Sequence, residues 1–185
     1  MRRSYSDFQR RRETASDVKR LCIYAGIILL AAVAENSFFA SLRYLPAPPD
    51  LIMGVICVIA LTDKKENAVI AALIGGVVTD ALGGAGIYLS VPVYFALAVT
   101  LTAFSGKMLK RYPSYLALLG IALIFRAVFT FGVCVLVGKT DIASALLSGV
   151  LPRVISTAVF CLPLYFAVRP AARAFSMDRR KGMYE

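Results

Sequence analysis

Apolar residues come in long blocks along this chain, separated by short polar or Pro- and Gly-containing stretches. After a polar, basic opening through Arg2, Arg3, Arg10, Arg11, Arg12, Lys19 and Arg20, the stretch Leu21 to Leu42 stays apolar for about 22 residues, enough at about 1.5 Å per residue to cross a hydrocarbon core of about 30 Å. It predicts a first helix. Pro46, Pro48 and Pro49 break the chain, Asp50 stands where an N-cap is expected, and Leu51 to Thr62 predicts a second helix of about 12 residues, short for a crossing. The turn Asp63-Lys64-Lys65-Glu66 leads into a third, also short helix from Asn67 to Leu82, closed by Gly83-Gly84-Ala85-Gly86. Ser90-Val91-Pro92 opens a fourth that reaches Leu109, and Pro113 separates it from a fifth over Ser114 to Val137. The sixth runs from Ile142 to Val168, with Pro152 and Pro163 as expected kinks.

Composition makes the solvent of these helices lipid. With 59% hydrophobic and only 17% charged residues and a mean hydropathy of +0.73, the chain carries more apolar surface than a soluble core of its length can hide. The expected fold class is an all-α integral membrane protein: a compact bundle of about six transmembrane helices over residues 21–168, between basic tails at 1–20 and 169–185. Ala32-Val33-Ala34 also fits the cleavage pattern of a signal peptide, but apolar residues resume at once as Ser37-Phe38-Phe39-Ala40, which favours a retained span.

A formal net charge of +10 invites a nucleic-acid reading, which the placement of the charges argues against. With the N-terminus inside, seventeen of the 21 Lys and Arg lie on that side and only Arg43 and Lys139 lie outside, while Arg126 and Arg153 fall within helices. The positive-inside rule then places both termini in the cytoplasm, as expected of a multi-pass protein of the cell membrane. The tails would gain about 1 kcal/mol per basic residue near anionic lipids. The short second helix leaves a variant open, in which helices two and three form a re-entrant hairpin and Lys64 and Lys65 change position.

Candidate chemistry is sparse. There is no His, the four cysteines Cys22, Cys57, Cys134 and Cys161 lie singly inside apolar stretches, and neither a nucleophile elbow nor a phosphate loop occurs. No metal, cofactor or enzymatic activity is expected. Glu35, Asp80, Arg126 and Arg153 are the ionisable residues within the expected spans, and because an unpaired charge at the bilayer centre costs at least about 2.5 kcal/mol, they are expected to face inward and pair. They form a candidate intrabundle polar cluster, lining a cavity for an anionic solute or fixing the packing. In helix three, Ala68, Ala72, Gly76 and Asp80 share one stripe and Ala71, Gly75, Thr79 and Gly83 another. Small residues let backbones approach closely in lipid, so helix three is expected at the centre of the bundle.

The stretch Pro49-Asp50-Leu51-Ile52, the short helix and polar turn after it, and Ala72-Leu73-Ile74-Gly75-Gly76-Val77-Val78-Thr79-Asp80-Ala81-Leu82-Gly83-Gly84 together resemble the MreD family of bacterial rod-shape-determining proteins. Leu151-Pro152 and Leu162-Pro163-Leu164-Tyr165, with basic residues following, look like that family's final helix. Ala81 stands where the family has Leu, and Ser156 near its customary Asn. The resemblance covers roughly residues 49 to 168 and implies a non-catalytic scaffold of the cell-elongation machinery (the elongasome) in side-wall peptidoglycan synthesis. It implies pairing with an MreC-like bitopic protein and, through it, with an MreB-like filament, a RodA-like polymerase and a penicillin-binding transpeptidase. A fold similar to the S-components of energy-coupling-factor vitamin transporters is implied as well, and such a substrate-binding subunit is the alternative reading. Their Ala-x-x-x-Ala docking signature is missing from helix one, where Glu35 and Asn36 follow Ala31 and Ala32 at that spacing, although Ala68 and Ala72 carry it in helix three.

Overall fold

The computed structural model describes residues 2–39, 41–42, 47–83, 89–106, 111–136 and 150–181, and among them every regular element is a helix. In chain order they are α1 (Arg2–Val33), which continues as a π-helical turn over Ala34–Phe39, then α2 (Leu51–Thr62), α3 (Lys65–Gly83), α4 (Ser90–Ser105), α5 (Tyr112–Leu136) and α6 (Leu151–Lys181). Among the described residues, three segments are long and apolar enough to cross a membrane: Asp17–Phe39, Tyr112–Val133 and Leu151–Pro170. Arg43, the 84–86 loop, Lys107, Lys110, Lys139 and the expected opening of the last helix at Ile142 lie outside the described residues.

Several boundaries differ from the hydropathy pattern, each because hydropathy marks where a helix meets lipid and not where its hydrogen bonding ends. α1 begins far upstream of Leu21, and α6 runs on past Val168 to Lys181 with Pro163 and Pro170 inside it. Both basic tails are thus continued as helix. Pro113 falls in the first turn of α5, where its missing N–H costs nothing. α3 is 19 residues long, longer than expected.

The larger correction concerns the centre of the bundle. That position belongs to α2, of which every residue from Leu51 to Leu61 is buried. It touches each of the other described helices, which close a ring round it in the order α1, α3, α4, α5, α6, with α6 returning to α1 across a narrow seam. α3 is a ring member and shows Ile70, Leu73, Val77 and Leu82 to the outside. A helix apolar on every side needs an apolar environment all round, whereas the α3 sequence offers only one small face.

Ring helices show the inverse pattern of a soluble bundle, with large apolar residues outward on every one. Examples are Leu30 and Phe38 beside α1, Phe95 on α4, Ile124 and Val128 on α5, and Ile155 and Phe166 on α6. The inward stripes keep helical spacing, as in Tyr24, Ile28, Ala31 and Ala32 of α1 or Tyr115, Leu118, Leu119 and Ala122 of α5. Small residues set how close the ring comes. A Cβ at Gly76 would sit 2.6 Å from the Val91 Cα of α4, and one at Gly75 would sit 2.8 Å from the Ile52 side chain of α2. The α2–α6 contact is equally close, since a Cβ at Gly54 would lie 2.5 Å from the Cys161 Sγ. Cys57 and Cys161 are buried free thiols and Cys22 faces outward.

Candidate functional site

Asp50 is the N-cap of α2, its Oδ1 accepting from the Met53 N–H at 3.0 Å. A carboxylate here meets the positive end of the helix dipole, and the same oxygen accepts a second hydrogen bond from the Tyr94 hydroxyl of α4 at 2.7 Å. The Asp50 N–H donates to Thr157 Oγ1 of α6 at 2.9 Å, and its carbonyl lies 3.5 Å from the Cys161 Sγ. Across from this cap, an Arg126 Nη2 of α5 stands 3.6 Å from Asp50 Oδ2, with the guanidinium 5.4 Å from the centre of the Tyr94 ring.

Glu35 lies beside it. It sits in the π-helical turn that continues α1, where Asn36 folds back to donate to the Ala32 carbonyl at 2.9 Å. Glu35 is buried, and its Oε1 is 3.5 Å from an Arg153 Nη2 of α6. Two carboxylates and two guanidinium groups from α1, α2, α5 and α6, with Tyr94 of α4, therefore share one end of the bundle. Both ion pairs exceed the 2.7–2.9 Å of a good charge-assisted hydrogen bond. Glu35 Oε2, Asp50 Oδ2 and Arg153 Nε are buried without a hydrogen-bond partner among the described residues.

Asp80 does not join either arginine in an ion pair, contrary to the sequence expectation. Its carboxylate receives the Ser90 N–H at 3.1 Å and the Val91 N–H at 3.4 Å, capping the start of α4 from α3. The partner the sequence reading missed is Asp50, which sits after Pro49 at the edge of a loop and reads there as a local cap only. Its signal was available: a cap directly before a helix too apolar to have an exposed face must itself be buried.

The other end of α2 repeats the design. Asp63 is the C-cap residue, its N–H donating to the Ile59 carbonyl at 2.9 Å. Its carboxylate accepts from the Lys64 N–H at 2.8 Å, the Tyr24 hydroxyl at 2.8 Å and the Asn67 amide at 3.1 Å, and pairs with Arg20 at 3.2 Å. Burial works against its charge, but the Lys64 N–H, Tyr24, Asn67 and Arg20 outweigh burial and hold the carboxyl below its ordinary value. Arg20, which the sequence groups with the tail charges, is buried. Lys64 meets Asp17 at 3.0 Å, so the α2–α3 turn sits at the same end of the bundle as residues 17–20 of α1.

The proposed small-residue face of α3 divides between two neighbours. Ala68, Ala71 and Ala72 are fully buried, Gly75 meets α2 and Gly76 meets α4. The Thr79 hydroxyl bonds back to the Gly75 carbonyl at 2.8 Å, and Gly83 closes the helix. Among the described residues no group of three His, Cys, Asp or Glu side chains is placed to hold a metal ion.

Fold and site together define a class: among the described residues, an all-α bundle with three helices of membrane-crossing length and composition, organised round a buried helix that carries a charge-compensated aspartate at each end. Comparison with models of known protein families, with curated proteins and with solved structures finds no match for the chain.

Proposed function

We propose that the protein is a six-span membrane scaffold of the rod-shape machinery, with both termini in the cytoplasm, that binds an MreC-like bitopic partner and helps organise side-wall peptidoglycan synthesis. The observation that carries this reading is where the MreD-like residues fall. Pro49 and Asp50 begin the buried central helix, Gly75 and Gly76 are the close contacts of α3 with α2 and α4, and Asp80 caps α4. The resemblance thus rests on residues that build the bundle, and these carboxylates are committed to caps and ion pairs. A body of this kind offers its outer faces to partners.

The six-span reading draws on the same geometry. α2 runs beside α1 from the Glu35 level to the Arg20 level, about 15 residues or roughly 22 Å apart along that helix, which supports a crossing in which the ring makes up the remaining depth. The seventeen-to-two distribution of basic residues then orients it.

Affinity purification of the tagged protein from its own membranes tests the scaffold. An MreC-like bitopic protein should co-purify, and depletion should round the cells and slow side-wall synthesis. Normal shape and normal wall synthesis after depletion would overturn the assignment. The S-component alternative is kept because of the unpartnered polar atoms at the head of α2, and recovery of a small vitamin with the purified protein would favour it.

A further inference from the structure

The outer side of α1 carries a polar group that the bundle leaves unmet. Asn36 is exposed, and it belongs to the Asp17–Phe39 segment of membrane-crossing length and composition. It stands about 15 residues past Leu21, where the apolar run begins, or roughly 22 Å along the helix, within a hydrocarbon core of about 30 Å. Asn36 Nδ2 donates one hydrogen bond, to the Ala32 carbonyl at 2.9 Å. The amide has a second N–H and an acceptor oxygen, and neither has a partner among the described residues. Acyl chains offer such an amide nothing to bond, which is the situation in which a polar side chain draws helices together.

The rest of that face permits close approach. Cys22, Gly26, Leu29 and Val33 are all exposed and lead up to Asn36 at alternating spacings of four and three residues, the repeat along which two helices pack in a shallow left-handed seam. A Cβ at Gly26 would meet nothing of its own chain within 4 Å, whereas one at Gly54, Gly75 or Gly76 would run into a neighbouring helix. The bundle itself therefore does not use the room at Gly26. Gly120 and Gly132 of α5 are open in the same way, but every exposed residue between Leu116 and Phe131 is apolar.

We propose that this face of α1 binds a second copy of the chain, with the two α1 helices parallel and in register and each Asn36 hydrogen-bonded to its equivalent. A closed dimer of copies inserted with one orientation has its twofold axis along the membrane normal, so every residue lies level with its counterpart. An amide is at once donor and acceptor and is complementary to itself. The second copy thus presents the group that Asn36 needs at the height where it is needed, as a buried Asn does when it fixes register between two helices. Gly26 lets the two backbones approach below that pair, and Cys22 comes opposite its equivalent. The inference rests on the membrane reading above and is independent of the scaffold assignment.

An exposed native thiol makes the test direct, since Cys22 faces outward while Cys57 and Cys161 are buried. Mild oxidation of membranes holding the full chain should link two copies, and Cys22→Ser should abolish the link. Photobleaching-step counting on the labelled protein in vesicles, over graded protein-to-lipid ratios, gives the dimerisation constant. Asn36→Leu should weaken it at least about tenfold, Asn36→Gln should restore most of the loss, and Gly26→Ile should also weaken it. Because Asn36 and Gly26 are exposed, the thermal midpoint of the monomer should stay unchanged in these variants, which separates lost association from lost folding. Monomers at every ratio would overturn the proposal, and so would a dimer that Asn36→Leu leaves intact. A photo-crosslinker placed at Leu29 that reaches only lipid or a different protein, and never a second copy, would do the same. The vesicle measurement contains this chain alone, so failure of the scaffold reading leaves it unchanged.

Discussion

Asp50 and Asp80 are both helix caps, yet they differ in what their loss would leave behind. Removing Asp80 takes two backbone N–H groups of α4 back to no acceptor, a deficit of about 1 kcal/mol. Removing Asp50 deletes a cap, the acceptor of the Tyr94 hydroxyl and the counter-charge of Arg126, whose side chain is 18% exposed. An abandoned buried charge of this kind costs about 3–5 kcal/mol. Asp50→Ala is therefore expected to lower the thermal midpoint in detergent far more than Asp80→Ala. In a double-mutant cycle, Asp50→Ala with Arg126→Met should recover part of the loss, and strict additivity would show that the two residues are not coupled. Asp63 gives a prediction in pH. Its carboxyl titrates below its ordinary value in the folded protein, so the unfolded chain binds the proton more readily and stability rises with pH through this range. The contribution is fully present above an unfolded pKa of about 4 and disappears as pH falls through the lower folded value. Detergent thermal melts of the parent and Asp63→Asn should differ most at neutral pH and converge below about pH 4.

At the scale of elements, glycines decide which helices touch and how closely. Any side chain at Gly76 runs into the Val91 backbone, 2.6 Å from an added Cβ. Neither helix can yield there without separating, so Gly76→Ala should destabilise the bundle by about 1–3 kcal/mol. At Gly54 the obstacle is the Cys161 Sγ at 2.5 Å and a Leu164 methyl at 2.9 Å. Because those are side-chain atoms, Gly54→Ala should be partly rescued by Cys161→Ala. Gly120 meets nothing within 4 Å, and Gly120→Ala on α5 should be neutral or stabilising by about 0.5–1 kcal/mol. Equal effects at Gly76 and Gly120 in unfolding titrations would mean that close approach is not what Gly76 supplies. Aromatic groups act on the other side of α6. Tyr115 stacks on Tyr165 at 5.2 Å, and its hydroxyl donates to the Cys161 carbonyl at 2.6 Å, tying α5 to the residue that faces Gly54.

For the whole molecule the issue is how a helix of about 18 Å can serve in a bilayer about 30 Å thick. α2 need not match the lipid, because the ring surrounds it and protein groups satisfy both of its ends. Each end is held by an aspartate facing an arginine from the ring, Arg126 at one end and Arg20 at the other. The proposed six-span topology, with both termini in the cytoplasm, predicts where its turn lies. In a variant with the four native cysteines replaced, Lys64→Cys should react with a membrane-impermeant maleimide only after the membrane is opened from the cytoplasmic side, and Lys139→Cys should react in intact cells. Labelling of Lys64→Cys from outside would favour the re-entrant arrangement of α2 and α3.

Sequence alone determined the helical class, the apolar excess that leaves large hydrophobic side chains on the outer faces, and most helix cores. Those follow from the length and composition of contiguous apolar runs, which are local properties. It also picked out Glu35, Arg126 and Arg153 as charges that must find partners, because desolvation penalises them wherever the helix is placed. What only the tertiary structure decided is who pairs with whom. Asp50 and Arg126 are 76 positions apart and come together across two helices, while Asp80, which hydropathy places inside a span, turns to the nearby amides of Ser90 and Val91. The choice of α2 over α3 as the centre is likewise non-local. Small residues on α3 announce close contact, but only the closing of the ring fixes which helix is left without a lipid-facing side.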